Sequence, residues 1–355
     1  MYHMLGFETL TAPQAAVWFA LALGAVFGAL ALVTGFCLRR ALVGTDRRAA
    51  GAVWFVALAA AVAGTQAAVA AGWIGFADHR FMAKELPVLA IALGGLAFGA
   101  GMVLTRGCIS RLTVLSGAGN LRALTVLVVF ALTAQATLKG VLAPLRTAVG
   151  SVTVPIDSAA LPGASAIWVA LLAAAALVLA ARSGARAPVL ILAALIGLLV
   201  PAGWVGTGLV LLDDFDPIAM QSLSFTAPAA DSVFYVAAAS AIPAGFGTGL
   251  VGGVLAGALF AALLTGRFRW QSFETPAQTG RYLAGAGLMG AGGVLAGGCT
   301  VGAGLSRVAT LSVAAVLALA AIAAGALAMH RALAAIPSTA ESAGSATTPP
   351  PQPAE

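Results

Sequence analysis

The chain has 355 residues, of which 61% are hydrophobic and 8% charged, with a mean hydropathy of +1.02 and a formal net charge of +6. Soluble domains carry roughly 25% charged residues, so a soluble core is excluded as the main architecture and a polytopic membrane protein is indicated. No basic stripe interleaved with aromatic residues accompanies the positive charge, which argues against a nucleic-acid partner and leaves the arginines to set membrane topology.

In chain order, residues 1–13 form a short, nearly uncharged start. No basic segment, short apolar run and small-residue cleavage site precede the first span, so that span is expected to be retained. Span one covers 14–36 and ends at Cys37, followed by Arg39, Arg40, Arg47 and Arg48. The positive-inside rule puts this loop in the cytoplasm. Span two covers 51–75, and Asp78, His79, Arg80, Lys84 and Glu85 follow outside. Span three covers 87–105 and delivers Arg106 and Cys108 to the inner side. Residues 106–122 interleave Ser, Thr, Gly and three Arg (Arg106, Arg111, Arg122) with apolar residues, which reads as a re-entrant turn or half-helix. Asn120 suits the N-cap of span four, 121–138.

Residues 139–165 are a connector rich in Pro, Gly and Ser. Beyond it lie spans at 166–181, 188–211, 233–265 (long enough to cross with a tilt or a kink, given Pro243 and the run GFGTGLVGG), 282–298 and 308–329, with Arg182, Arg186, Arg267, Arg269 and Arg281 inside and Asp213, Asp214, Asp216 and Asp231 outside. The expected fold is therefore all-α, a polytopic membrane protein of about nine transmembrane helices with re-entrant or half-helices. Its first half spans 1–138 and its second 166–336, followed by a disordered tail at 337–355. The N-terminus falls outside and the C-terminus inside.

One short string recurs. Residues 99–108 read GAGMVLTRGC and residues 290–299 read GAGGVLAGGC, identical at seven of ten positions. The first copy closes an inward span and the second, five spans on, an outward one, so the copies are expected to be two inverted pseudo-repeats. Such repeats place a substrate near the bilayer midplane between discontinuous helices. Gly99-x-Gly101 reads as a helix-packing pattern, since no strand–helix context supports a phosphate loop.

Three cysteines do not make a closed disulfide framework, and none has the spacing or neighbours of a zinc site. An isolated cysteine in an apolar chain is by default a packing residue. Cys108 and Cys299 depart from that default because each ends its copy of the repeat within a glycine turn (Gly107, Gly298, then Thr300) where backbone can approach a ligand. Cys37 stands beside two arginines, whose field favours thiolate character. Arg106, Arg111 and Arg122 read either as positive-inside charge or as an electropositive entrance or exit for an anion. No Asp or Glu lies mid-span, which argues against a proton relay built on membrane carboxylates.

The segment TRGCISRLTVLSGAGNLRAL, the early GFCLRRAL, and the late GRFRW and LMGAGGVLAGGCTVGAGLS together resemble the YeeE/YedE family of bacterial membrane proteins over residues 15–330. The resemblance implies an hourglass-shaped inner-membrane protein with inverted halves that takes up thiosulfate or a related sulfur or selenium anion. It implies a relay of the anion by S–H···S hydrogen bonds along Cys37, Cys108 and Cys299, with no covalent step and no cofactor. A small cytoplasmic sulfur-carrier protein of the sulfurtransferase kind is the implied partner. By position, Ser224-Phe225-Thr226 is the counterpart of Gly35-Phe36-Cys37, so Thr226 brings a hydroxyl where some members have a further thiol. A membrane-embedded sulfurtransferase working through a cysteine persulfide is the competing reading, and a structural subunit without a site is the third.

Overall fold

A computed structural model describes residues 10–77, 79, 82–213 and 216–335. The tail expected at 337–355, the first nine residues, and Asp78, Arg80 and Asp214 lie outside the described residues. The described chain is almost wholly helical: α1 Ala12–Thr34, α2 Leu38–Val43, α3 Arg47–Ala70, α4 Val88–Leu104, α5 Ile109–Gly117, α6 Leu121–Lys139, α7 Ala143–Gly150, α8 Ser165–Ser183, α9 Ala187–Val205, α10 Thr226–Ala238, α11 Phe246–Leu264, α12 Pro276–Leu295 and α13 Val313–Ala335. Two residue pairs, β1 Glu85–Leu86 and β2 Val154–Pro155, form a small antiparallel ladder.

Eight helical segments among the described residues are long and apolar enough to cross a membrane. The expected eighth span, 282–298, is α12, which is 20 residues long but outside that set of eight. Its first turns carry Gln278, Thr279 and Arg281, and it packs against α4 and α6. The span expected at 233–265 is two helices, α10 and α11, and this corrects the sequence reading. Apolar residues run almost unbroken through this stretch, but Pro243 and Gly245 stop the helix between them. The half-helix expected within 106–122 is α5, and Asn120 caps α6 by accepting from the Ala123 N–H at 3.0 Å.

Packing follows an exchange pattern. α1 lies on α11 and α3 on α9; α4 lies on α13 and α12 on α6; α4 and α12 lie on one another. Lipid tails give apolar side chains no reason to leave them for a neighbouring helix, so close approach through small residues drives such contacts. At the centre the correspondence reaches single residues. A Cβ on Gly101 would meet Gly285 and Met289, and one on Gly292 would meet Gly94 and Phe98. Each of these residues is 191 positions from its counterpart.

The loops sort onto two faces. Arg40 and Ala49, Gly184 to Arg186, and Arg267 meet around one cavity, so the three basic loops share a face. The segments after α3 and α6 meet through the β1–β2 ladder, and His79 reaches the Met220 carbonyl at 3.4 Å.

Candidate functional site

Each cysteine follows a break in a helix, and each break uses a left-handed backbone residue two positions earlier. Gly35 has φ 66°, Arg106 φ 59° and Gly297 φ 75°. Gly35 and Gly297 take this conformation without a steric penalty, whereas Arg106 takes it at a cost. The break turns the chain so that Cys37 becomes the N-cap of α2 and Cys108 the N-cap of α5. Cys299 precedes a π-helical turn, Gly302–Arg307. A π turn widens the helix and leaves backbone groups available at functional sites.

All three thiols are buried, at 6% exposure for Cys37, 1% for Cys108 and 0% for Cys299, and all three are free. The sulfurs of Cys37 and Cys108 are 3.8 Å apart, a thiol–thiol contact far longer than a disulfide bond. Cys108 also lies 3.2 Å from the Ser110 hydroxyl. Cys299 accepts the Gly302 N–H at 3.3 Å. The Thr300 side chain faces Cys108 and the Thr226 side chain faces Cys299, and neither hydroxyl oxygen has a hydrogen-bond partner of good geometry. A buried hydroxyl without a partner is costly, so such a group commonly marks a place for a ligand or water. Thr226, Cys299, Thr300, Cys108 and Cys37 thus form a series of weak polar groups through the centre of the protein.

Two cavities adjoin the ends of this series. One, of about 260 Å³, is lined by Arg146, Ser222, Ser224, Thr226, Gly298 and Arg307 among others, and so reaches the residue before Cys299. The other, of about 560 Å³, includes Gly35 and Arg111, next to the Cys37–Cys108 pair. Phe27 packs between Phe36 and Phe225, with ring centroids 6.2 and 5.4 Å away. The residues before Cys37 and before Thr226 therefore share one aromatic support.

The expected site residues divide by position. Cys37, Cys108, Cys299, Thr226 and Thr300 come together, Gly107 and Gly298 form the turns, and Arg111 stands beside the thiol pair. A Cβ on Gly298 would come within 2.8 Å of the Ala303 nitrogen, so the turn needs glycine. Arg106 is exposed while Cys108, two residues on, is buried, and its left-handed φ turns the chain at that point. Asn120 works as a helix cap and lines a third, smaller cavity with Arg111, Arg267 and Arg269. Arg122 pairs with Glu274 at 3.4 Å and with the Gln271 amide oxygen at 3.2 Å.

Sequence reasoning passed over Ser110 and Arg307, and read Arg267 only as a loop charge. Ser110 lies two positions from Cys108, which is the one signal available for it. Arg40 holds the end of α1, donating to the carbonyls of Thr34 at 3.4 Å and Gly35 at 3.3 Å while pairing with Asp46. That pairing holds the Asp46 carboxyl below its ordinary value. A depressed carboxylate pKa stabilises the fold above the unfolded value of about 3.9, and the contribution fades as the pH falls through the folded value. Asp46→Asn is therefore expected to lower the melting temperature at pH 7 and to remove part of the loss expected of wild type as the pH falls below about 4. Thermal unfolding across that range checks it.

Residues 33–328, most of the chain, match the family model described as sulphur transport. No curated protein sequence matches the chain.

Proposed function

We propose that this chain, which belongs to the sulphur-transport family of YeeE/YedE proteins, takes up thiosulfate or a closely related sulfur anion by passing it along Cys299, Cys108 and Cys37 without a covalent step. The observation that carries this reading is the buried series of thiols and hydroxyls with a cavity at each end. A neutral thiol is a weak donor, and burying one costs far less than burying a charge. Several weak sites in succession favour passage, where one strong site would trap the ion. Arg146 and Arg307 around the first cavity supply the positive field that draws an anion in.

The matched packing of residues 191 apart supports an inverted pair of halves with the site between them. The basic face is then cytoplasmic, the N-terminus periplasmic and the C-terminus cytoplasmic, in a bacterial inner membrane. The protein acts as a transporter and not as an enzyme. A small sulfur-carrier protein of the sulfurtransferase kind would receive the anion at the basic face.

The burial of all three thiols corresponds to a closed passage, so transport requires the turns carrying them to shift. Thr226 holds the place of a further thiol. Thr226→Val, which keeps the shape and removes the hydroxyl, is expected to lower uptake about tenfold, the effect of roughly 1.4 kcal/mol, while Thr226→Cys is expected to retain it. The test of the whole reading is uptake of labelled thiosulfate into liposomes containing the purified protein, competed with sulfate, sulfite and selenium analogues. Competition by sulfate as strong as by unlabelled thiosulfate would argue against thiol recognition of the terminal sulfur.

A further inference from the structure

The cavity that reaches Gly35 brings together Arg40, Arg111, Arg186 and Arg267, and no Asp or Glu is among its described lining residues. The smaller cavity that Asn120 lines, of about 170 Å³, shares Leu32, Arg111 and Arg267 with it, adds Arg269, and is likewise free of carboxylates among its described lining residues. Arg111 and Arg267 therefore form the wall between two cationic spaces. Arg40 and Arg267 both lie close enough to Arg111 to act on its charge.

The use of the donors distinguishes these arginines. Arg40 is committed to Asp46 and to two carbonyls. Arg111 gives one N–H to the Ala31 carbonyl at 3.2 Å, and Arg267 gives one to the Leu32 carbonyl at 3.3 Å. A guanidinium has five N–H groups in a planar fork, so each can hold a carbonyl of α1 and still present donors to an anion. Two partly shielded like charges without a carboxylate repel one another, and a divalent anion between them removes the repulsion. The fork matches the spacing of two oxygens on a tetrahedral oxyanion, which a halide cannot reproduce. The larger cavity exceeds the size of one such ion, so the ion keeps part of its water and is held loosely.

We infer that Arg111 and Arg267 form a binding site for a free, doubly charged tetrahedral oxyanion of the sulfate and thiosulfate class, in the cavity that reaches Gly35, two residues before Cys37. This site rests on the thiol-path reading for its place at the exit, but its chemistry does not depend on the thiols. It selects by charge and oxygen geometry and accepts sulfate as readily as thiosulfate, so discrimination between them falls to the thiols.

The test is equilibrium dialysis of the purified full chain in non-ionic detergent at low ionic strength, with radiolabelled sulfate and radiolabelled thiosulfate as probes. Both are expected to bind, and chloride is expected to displace them only at concentrations at least tenfold higher than unlabelled sulfate. Arg111→Gln with Arg267→Gln should weaken sulfate binding at least tenfold. Arg267→Gln alone, on an exposed loop, should weaken it measurably, and Arg267→Lys should restore part of the loss. The triple variant Cys37→Ala, Cys108→Ala, Cys299→Ala should bind sulfate like wild type. Sulfate binding that survives loss of both arginines, or that disappears with the cysteines, overturns the site. Native mass spectrometry separates the two sources of such an oxyanion: an anionic phospholipid retained by wild type and lost in the arginine variants would assign the pair to a headgroup and overturn the assignment to a free ion. If liposome uptake survives removal of the cysteines while sulfate binding still depends on the arginines, the thiol path fails and this site stands.

Discussion

Cys108→Ala is expected to abolish thiosulfate uptake and thiosulfate-dependent growth while the protein remains in the membrane at wild-type abundance. Cys108 is the centre of the series: it touches Cys37 at 3.8 Å and Ser110 at 3.2 Å, and Thr300 faces it from the other half of the chain. Removing its sulfur interrupts the series at the junction of the halves, where neither neighbour can take over. The structural cost is small, about 1 kcal/mol for the few contacts of one buried atom, so loss of uptake cannot be put down to unfolding. Cys299→Ala should have the same effect from the other side of the junction. Cys108→Ser keeps a donor but not a polarizable sulfur, and should fall between wild type and alanine. Full uptake in both the Cys108 and Cys299 alanine variants would remove the relay from consideration. Growth assays with immunoblotted membranes and uptake of labelled thiosulfate give both readouts.

The second large effect is on assembly. Gly292→Leu is expected to prevent recovery of a folded, monodisperse protein, whereas Gly287→Ala, on the same helix, should leave it unchanged. A Cβ at Gly292 would come within 2.6 Å of both the Gly94 carbonyl and the Phe98 nitrogen, which are backbone and cannot swing aside. At Gly287 a Cβ would meet nothing within 4 Å. Overpacking costs about 1–3 kcal/mol even where side chains can adjust, and here the α4–α12 seam would have to part. That seam positions the turns before Cys108 and Cys299, so separation of the helices would also separate the thiols. Size-exclusion profiles and melting temperatures of the two variants check this, and an unchanged melting temperature for Gly292→Leu would contradict it.

Much of this arrangement can be read from the sequence because the repeat is local. Seven matched positions ending in Cys108 and Cys299 announce two equivalent turns, and the helices lead into them as expected. In the structure Thr226 opens α10, and Phe225 shares Phe27 with Phe36. What sequence cannot supply is contact between distant segments. Cys37 meets Cys108 across 71 positions, and Arg267 reaches α1 across 235. Neither leaves a trace in spacing or composition. Spacing likewise does not show that Arg106 itself takes the left-handed backbone that turns the chain before Cys108. At 233–265 the kink that Pro243 suggests is a full break, with α10 ending at Ala238 and α11 starting at Phe246, because a hydropathy average does not tell a bent helix from two separate ones.

The central claim is that the anion passes the thiols intact. It is tested most directly by loading liposomes containing the purified protein with external thiosulfate labelled on its terminal sulfur, then following both the interior and the protein. The account predicts that intact labelled thiosulfate accumulates inside wild-type vesicles, that none accumulates with Cys108→Ala, and that the intact mass of the protein is unchanged after turnover. A protein heavier by one labelled sulfur atom, with sulfite released in step, would show a persulfide on a cysteine and contradict it.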